Sequence, residues 1–519
     1  MIICARSYIS RYTAKREGLR TYWHHDVKRE SGGHWHGISS NRSALARLYL
    51  PTRCPISPDA FPGAVSSDPR LINTHFYGEN PKMTKARRDG LYLLALGSLA
   101  FVLFGLVLEN AASAPLADFR GLYYTARCFV QHCDPYLESD VLRVYKAENA
   151  SEPFDTAKVR QIVTRTVYPP TVFSFTILFG LLPWSVAHTL WIALTIGSLV
   201  FSSFLIWNLG ADYAPLLSGA LIGFLLANSE VIVIGGNVAG IVVSLCAVAV
   251  WCFLRGRFAF AGILCLAISL AIKPQDTGFV WLLFLLAGGE YRKRALQTLL
   301  AATVVCLPGV LWVWHVAPRW MQELQSNIAA FSVHGGTNDP GLASAGAHGL
   351  GMVISLQAIT SVFWDNPGIY NSVSYLIFGL LLLTWGVTTL RCRMSRDSVY
   401  LALAAIAALS MLPVYHRQYD AKLLLLTIPG CAMLCSEGGL IGKLAVLVNT
   451  LGFVLTGDIP WAILLGIIGK MPAPATRLSG EFLTAAQVFP APLMLLVMGI
   501  FYLWVYVKRC FATSQERMS

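Results

Sequence analysis

Charged residues are scarce in this chain. Asp, Glu, Lys and Arg make up 13% of its 519 residues, whereas 55% are hydrophobic and the mean hydropathy is +0.56. Soluble domains carry about 25% charged residues, so this sequence lacks the polar side chains that would cover a water-exposed surface. A water-soluble globular protein is therefore excluded, and the composition indicates an integral membrane protein.

Several motifs that bind soluble cofactors or form covalent intermediates are also absent. The chain has no Walker phosphate loop, no dinucleotide-binding glycine motif after a strand and no Gly-x-Ser-x-Gly nucleophile turn. It has no polar domain large enough to bind a nucleotide sugar, so any sugar donor must reach the protein from the membrane. We expect no cofactor.

The 12 cysteines are scattered, mostly inside apolar segments, without the paired spacing of metal ligands. We interpret most of them as small apolar core residues and predict no metal site. Cys128 and Cys133 lie in a polar segment. A disulfide between them is one alternative, although a separation of five residues is awkward on a helix.

Long apolar runs without strict alternation are what the sequence has in abundance. Lipid offers the backbone no hydrogen-bond partners, so such runs predict helices, and a spanning helix needs about 20 apolar residues. We predict an all-α, polytopic transmembrane helix bundle with about twelve spans. The spans are expected near residues 91–110, 184–208, 213–230, 238–254, 258–273, 276–288, 294–314, 369–390, 398–413, 419–436, 440–456 and 486–507.

The two ends of the chain differ from this membrane domain, which we place at residues 83–510. Residues 1–82 are polar, rich in Arg, His, Ser and Pro, and show no helical period. We expect a disordered extension there, or a mis-assigned start with Met83 as the true first residue. Residues 511–519 are expected to form a cytoplasmic tail.

The formal charge of +12 comes from short basic clusters between apolar runs, so we assign it to membrane orientation and expect no nucleic-acid binding. The clusters place both termini in the cytoplasm, and they leave loops 111–170 and 315–368 outside, bearing short interfacial helices. The clusters lie at Lys85 to Arg88, Arg255 to Arg257, Arg292 to Arg294, Arg391 to Arg396, and Lys508 to Arg509.

Asp118, in the first predicted outer loop, is the first residue for which the sequence suggests a chemical role. It follows the first apolar run, in Ala117 to Ala126, where a carboxylate could act as the general base that deprotonates an acceptor hydroxyl. The alternative is an acid that caps a helix or pairs with Arg120 or Arg127.

A second polar group precedes a late apolar run. Leu412 to Lys422 contains His416 and Arg417 at the membrane edge, where charged groups are costly and mark functional sites. Arg binds phosphate through a planar fork and Lys through a point charge. Lys273, directly before Pro274, is a further phosphate candidate. The alternatives are interfacial anchoring for the late group and an ordinary helix end for Lys273.

The order and spacing of these motifs resemble glycosyltransferase family 87, a group of membrane proteins with the GT-C fold of polyprenol-dependent transferases. The resemblance spans residues 91 to about 436. The stretches that carry it are Asp118-Phe119 with Tyr123, Tyr124 and Ala126; Asp134-Pro135-Tyr136; Tyr168-Pro169-Pro170; Gly236-Asn237; Ala261-Gly262 through Ile272-Lys273-Pro274; and Tyr419-Asp420 before Leu423 to Leu426.

The resemblance implies an inverting enzyme that moves a sugar, most often mannose, from a polyprenyl-phosphate donor to a lipid or glycan acceptor. It would work among membrane lipids on the outer (periplasmic) face of the cell membrane. Asp118 would be the base, and His416, Arg417 and Lys273 would hold the donor phosphate. A multi-span transporter or lipid flippase is the alternative, but no internal repeat is visible. The candidate substrate contacts are Tyr123, Asp134, Tyr168, Asn237 and Tyr419.

Overall fold

The computed structural model describes residues 84–112, 114–148, 157–336, 338–344, 353–392, 394–460, 463 and 488–515. Over these ranges the chain is helical, with a single isolated β-bridge between Val353 and Arg417. The predicted all-α class is thereby confirmed. The predicted extension at 1–82 and the last residues of the predicted tail lie outside the described ranges.

Most neighbouring helices in the described part of the chain are joined by short connections. In chain order they are α1 (Lys85–Ala111), α2 (Ala117–Val130), α3 (Glu138–Glu148), α4 (Ala157–Thr164), α5 (Phe173–Gly180), α6 (Trp184–Gly210), α7 (Pro215–Leu226), α8 (Glu230–Gly235), α9 (Ala239–Arg255), α10 (Ala259–Ile272), α11 (Pro274–Leu286), α12 (Gly289–Val316), α13 (Trp320–Ser332), α14 (Leu356–Phe363), α15 (Pro367–Arg391), α16 (Arg396–Leu409), α17 (Ile428–Glu437), α18 (Gly439–Thr456) and α19 (Pro490–Gln515), with 3-10 helices at Pro170–Val172 and Gln418–Thr427.

Eight helical stretches in the described part of the chain are long and apolar enough to cross a membrane, when Pro215–Gly235 and Gln418–Glu437 are each counted as one continuous stretch. Their outward faces are apolar too: on α1, Leu99, Leu103 and Val107 are all exposed. Apolar surface of this extent is not found on soluble monomers, so these faces fit contact with lipid. A membrane-embedded helix bundle is the architecture that follows.

The predicted number of spans, about twelve, is not confirmed. Several predicted spans form helices below the usual crossing length, and α10 has only 14 residues. At 1.5 Å per residue, such a helix covers about 21 Å, whereas the hydrocarbon core of a bilayer is about 30 Å thick. Pro274 begins α11 directly after Lys273, so α10 and α11 meet at the position of a buried lysine.

Loop 111–170 contains a folded, helical segment where the structure describes it. The phenol of Tyr136 donates to the backbone oxygen of Tyr168 at 3.0 Å. From α13, Asn327 donates to the backbone oxygens of Tyr136 and Thr166 at 3.0 and 3.1 Å. The two predicted outer loops are therefore joined by buried hydrogen bonds, which hold α2 in place.

The structure pairs Cys128 with Cys133 in a disulfide, with 5.2 Å between their Cα atoms. The spacing argued against this pair only if both residues lay on one helix. Helix α2 ends at Val130 instead, and His132 takes a left-handed conformation with φ of 60°. The chain turns back there, which brings the second cysteine beside the first.

The orientation in the membrane stays a prediction, and chemical labelling can test it. Ser139 and Ser395 are both exposed, and the basic clusters place them on opposite faces. In a cysteine-less background, an impermeant thiol reagent added outside should label a cysteine at 139 and spare one at 395. Permeabilised cells, in which both react, are the control. Labelling at 395 alone would invert the topology.

Candidate active site

Asp118 lies in the first turn of α2 and is held by Asn237. The side-chain amide of Asn237 donates to Asp118 Oδ2 at 2.7 Å, and its own oxygen accepts the backbone N–H of Ala239 at 2.9 Å. Because the oxygen is engaged by a backbone donor, the NH2 end of the amide must face the carboxylate. The amide therefore orients the acid that was predicted as the base.

The backbone conformation and the close packing at position 236, next to Asn237, require a glycine. Its φ is +63°, and a Cβ at this position would lie 2.9 Å from the Cβ of Phe119. Trp191 donates from its indole to the Gly236 oxygen at 2.9 Å, and its ring stacks on Phe119 with 4.1 Å between centroids. A side chain here would push α2, and with it Asp118, away from Asn237.

The surroundings of Asp118 raise the pKa of its carboxyl above the ordinary value of 3.8. Burial among protein atoms is the largest cause. The hydrogen bond from Asn237 and the positive charges of Arg417 and Lys273 oppose this rise. Two of the three predicted phosphate ligands therefore lie close enough to act on the predicted base, although they are about 155 and 300 residues away in sequence. The residue as a whole is partly accessible to solvent.

Near Asp118 lies a buried ring formed by Lys273, Asp276, His416 and Asp420, in which two carboxylates alternate with a lysine and a histidine; we call it the charge ring. Lys273 Nζ lies 3.1 Å from Asp276 Oδ2 and also contacts Asp420 Oδ1. His416 Nδ1 lies 3.4 Å from Asp276 Oδ1 and 3.3 Å from Asp420 Oδ2. Each carboxylate thus offers one oxygen to the lysine and the other to the histidine.

Arg417 connects the charge ring to the accessible part of the site. Its backbone N–H donates to Asp420 Oδ2 at 2.9 Å, while its guanidinium donates to the Tyr415 hydroxyl and, at 3.2 Å, to Asn338 Oδ1. The side chain of Arg417 is partly accessible, whereas His416 is fully buried. Of the three predicted phosphate ligands, Arg417 is the most accessible, whereas Lys273 and His416 are both buried.

The structure brings together some of the candidate substrate contacts and separates others. Tyr419 lies beside the charge ring, with Lys273 Nζ 5.4 Å from its ring centroid. Tyr168 is close enough for Asp118 to raise the pKa of its phenol, after burial as the main cause. Tyr123 is buried and donates to the Leu182 backbone oxygen at 2.8 Å. Asp134 caps the turn at Tyr136 by accepting its backbone N–H. The roles of all four as substrate contacts stay predictions.

Asp276 is a site residue that the sequence did not reveal. It is 1% exposed and contacts both Lys273 and His416. Asp420 entered the sequence analysis only through the Tyr419-Asp420 motif of the family resemblance, without a role of its own. The nearby Lys422 pairs with Asp458 at 3.6 Å. The available signal for Asp276 was its place three residues after a lysine at a helix start, because residues three apart share one helix face.

Three side chains of the charge ring also have the composition of a metal site. Ligand atoms of Asp276, His416 and Asp420 all lie within 4.8 Å of one another, and all three residues are buried. The Lys273 ammonium already touches both carboxylates. The expectation that the protein uses no metal stays a prediction.

The apolar helices that surround these residues define a membrane-embedded protein. The sequence model of glycosyltransferase family 87 matches residues 166–415 of the chain. This match confirms the predicted resemblance and indicates a glycosyltransferase. It includes Asn237, Lys273 and Asp276, while Asp118 and Arg417 lie outside it. No curated protein and no solved structure matches the chain.

Proposed function

We propose that this protein transfers a sugar from a polyprenyl-phosphate donor to a hydroxyl of a lipid or glycan acceptor at the outer face of the cell membrane. The carrying observation is that Asp118, a partly accessible residue held by Asn237 at 2.7 Å, lies within the electrostatic reach of Arg417 and Lys273. A base and a cluster of positive charge are the two groups that this reaction needs. Mannose is the proposed sugar because the resemblance to family 87 implies it.

The proposed reaction is a single displacement. Asp118 takes the proton of the acceptor hydroxyl as the oxygen attacks the anomeric carbon. The bond between that carbon and the phosphate oxygen breaks, and the phosphate departs with the electron pair. Because attack and departure occur on opposite faces of the sugar, the configuration inverts. Arg417 and Lys273 stabilise the negative charge that develops on the phosphate.

Each neighbouring residue then has a positioning role. Asn237 orients Asp118 toward the acceptor side, since its amide is itself fixed by the backbone of Ala239. His416, fully buried, contacts Asp420, and Asp420 in turn accepts the backbone N–H of Arg417. We therefore assign His416 to the support of Arg417, and we assign the direct contact with phosphate to the guanidinium.

Purified protein in lipid vesicles tests the donor. Radiolabelled polyprenyl-phosphate mannose should yield a labelled acceptor lipid in a membrane extract, whereas nucleotide-linked mannose in the same vesicles should yield none. Polyprenyl-phosphate glucose serves as the comparison for the sugar. Transfer from the nucleotide sugar by the purified protein would overturn the lipid donor, and transfer from glucose alone would overturn mannose.

The rate should depend on pH through the raised pKa of Asp118. The base form is lost as the pH falls through a value above 3.8, so kcat/KM should rise with pH along a limb displaced upward from an ordinary carboxyl. Asn237→Ala removes a hydrogen bond that lowers this pKa, and we expect the limb to move to higher pH. Asn208→Ala, far from Asp118 and bonded to Arg255, is the matched control. If the limb of the pH profile stays in place in the Asn237 variant, the limb does not report the ionisation of Asp118.

A further inference from the structure

The charge ring has an arrangement that is usual around a metal ion. Two carboxylates and one imidazole converge with ligand atoms within 4.8 Å of one another, and their three residues are at most 2% exposed. Carboxylate with imidazole is a donor set that suits Mn²⁺ and related divalent cations. Buried carboxylates without a positive partner are strongly disfavoured, so this set needs a cation at its centre.

The Lys273 side chain supplies that cation. Its Nζ contacts one oxygen of Asp276 and one oxygen of Asp420, the same two carboxylates that a metal would bridge. Lys273 reaches this place because α10 ends at Ile272 and Pro274 starts α11, which directs the lysine inward at the break. The whole Lys273 residue is 7% exposed, so its side chain is held inside the protein.

We propose that Asp276, His416 and Asp420 form a three-ligand cation site whose resident cation is the ammonium of Lys273. The assignment of a donor phosphate beside this site rests on the proposed function, whereas the cation site itself does not. A covalently attached cation supplies the positive partner that the two buried carboxylates need, without metal uptake. Asp276 is then a positioning residue, because it holds both Lys273 and His416.

Exchange of the attached cation for a free one tests this inference. Lys273→Ala leaves a space beside the three ligands, and we expect one Mn²⁺ per protein to bind there, detected by electron paramagnetic resonance. Bound Mn²⁺ should also raise the melting temperature of this variant, because a ligand of the folded state stabilises it. Sugar transfer by Lys273→Ala should fall at least 100-fold and recover at least tenfold with Mn²⁺.

Lys273→Met is the matched control, since it removes the charge but fills the space. It should bind no Mn²⁺ and gain no activity from it. The wild-type protein should bind no Mn²⁺ and keep its activity in a chelator. The inference is overturned if the alanine variant takes up no Mn²⁺, or if the chelator inactivates the wild type and Mn²⁺ restores it. The binding and melting measurements decide the matter even if no variant transfers a sugar, which would count against the proposed function alone.

Discussion

Asp118→Asn should lower the rate of sugar transfer by about 10²–10⁴-fold, the usual effect of losing a general base. Asparagine has nearly the same shape and can still bond to Asn237, so the loss of stability should stay near 1 kcal/mol, the worth of one hydrogen bond. The measurement is the initial rate with labelled polyprenyl-phosphate mannose in vesicles, together with the melting temperature of the purified variant.

Glu148→Gln is the matched control for this change. Glu148 is an acid of the same 111–170 segment, and it pairs with Arg127 instead, at 2.8 Å. Its variant should transfer sugar at the wild-type rate. A rate for Asp118→Asn within about threefold of wild type would remove Asp118 from the chemistry and leave it as the first-turn acid of α2.

Arg417→Ala should weaken use of the donor by about 10–100-fold. The variant loses a permanent charge together with a planar fork that binds two phosphate oxygens, and hydrogen bonds to charged groups contribute about 1.5–3 kcal/mol. Arg417→Lys should recover part of this loss, because the charge returns without the fork. The experiment compares initial rates against donor concentration and, separately, against acceptor concentration.

The acceptor curve supplies an internal comparison, since the acceptor is assigned to the Asp118 side. Arg165→Ala is the matched variant: Arg165 is an arginine of the 111–170 segment and pairs with Glu138 at 2.9 Å. We expect it to leave both curves unchanged. Normal donor curves for both Arg417 variants would make this residue an anchor, and Lys273 would then carry the phosphate alone.

The class of the fold follows from the sequence because its cause is local. Uninterrupted apolar runs can bury their backbone polar groups in lipid only as helices, and the helices begin and end near the predicted places. The number of crossings does not follow, because it depends on how helices tilt and break. At Lys273-Pro274 the residue types indicate a helix end, but they do not say whether the chain turns back or goes on.

The candidate site was likewise predictable only in part. Asp118, Arg417 and Asn237 were recognisable because a polar residue at the end of an apolar run is rarely there by chance. The partners of these residues were not, because a contact such as that of Asp276 with His416 joins positions 140 residues apart. Sequence periodicity carries no information about which helix ends meet in space.

The 3-10 helix at Gln418–Thr427 is extended along its axis. A 3-10 helix rises about 2.0 Å per residue and an α-helix about 1.5 Å, so these ten residues are stretched by roughly 5 Å. Rewinding them into an α-helix would retract Asp420 from Lys273 and rotate Tyr419 away from it. The segment is therefore an extended helix that is attached to the site at Asp420. Its rise per residue determines whether the Asp420 carboxylate reaches Lys273.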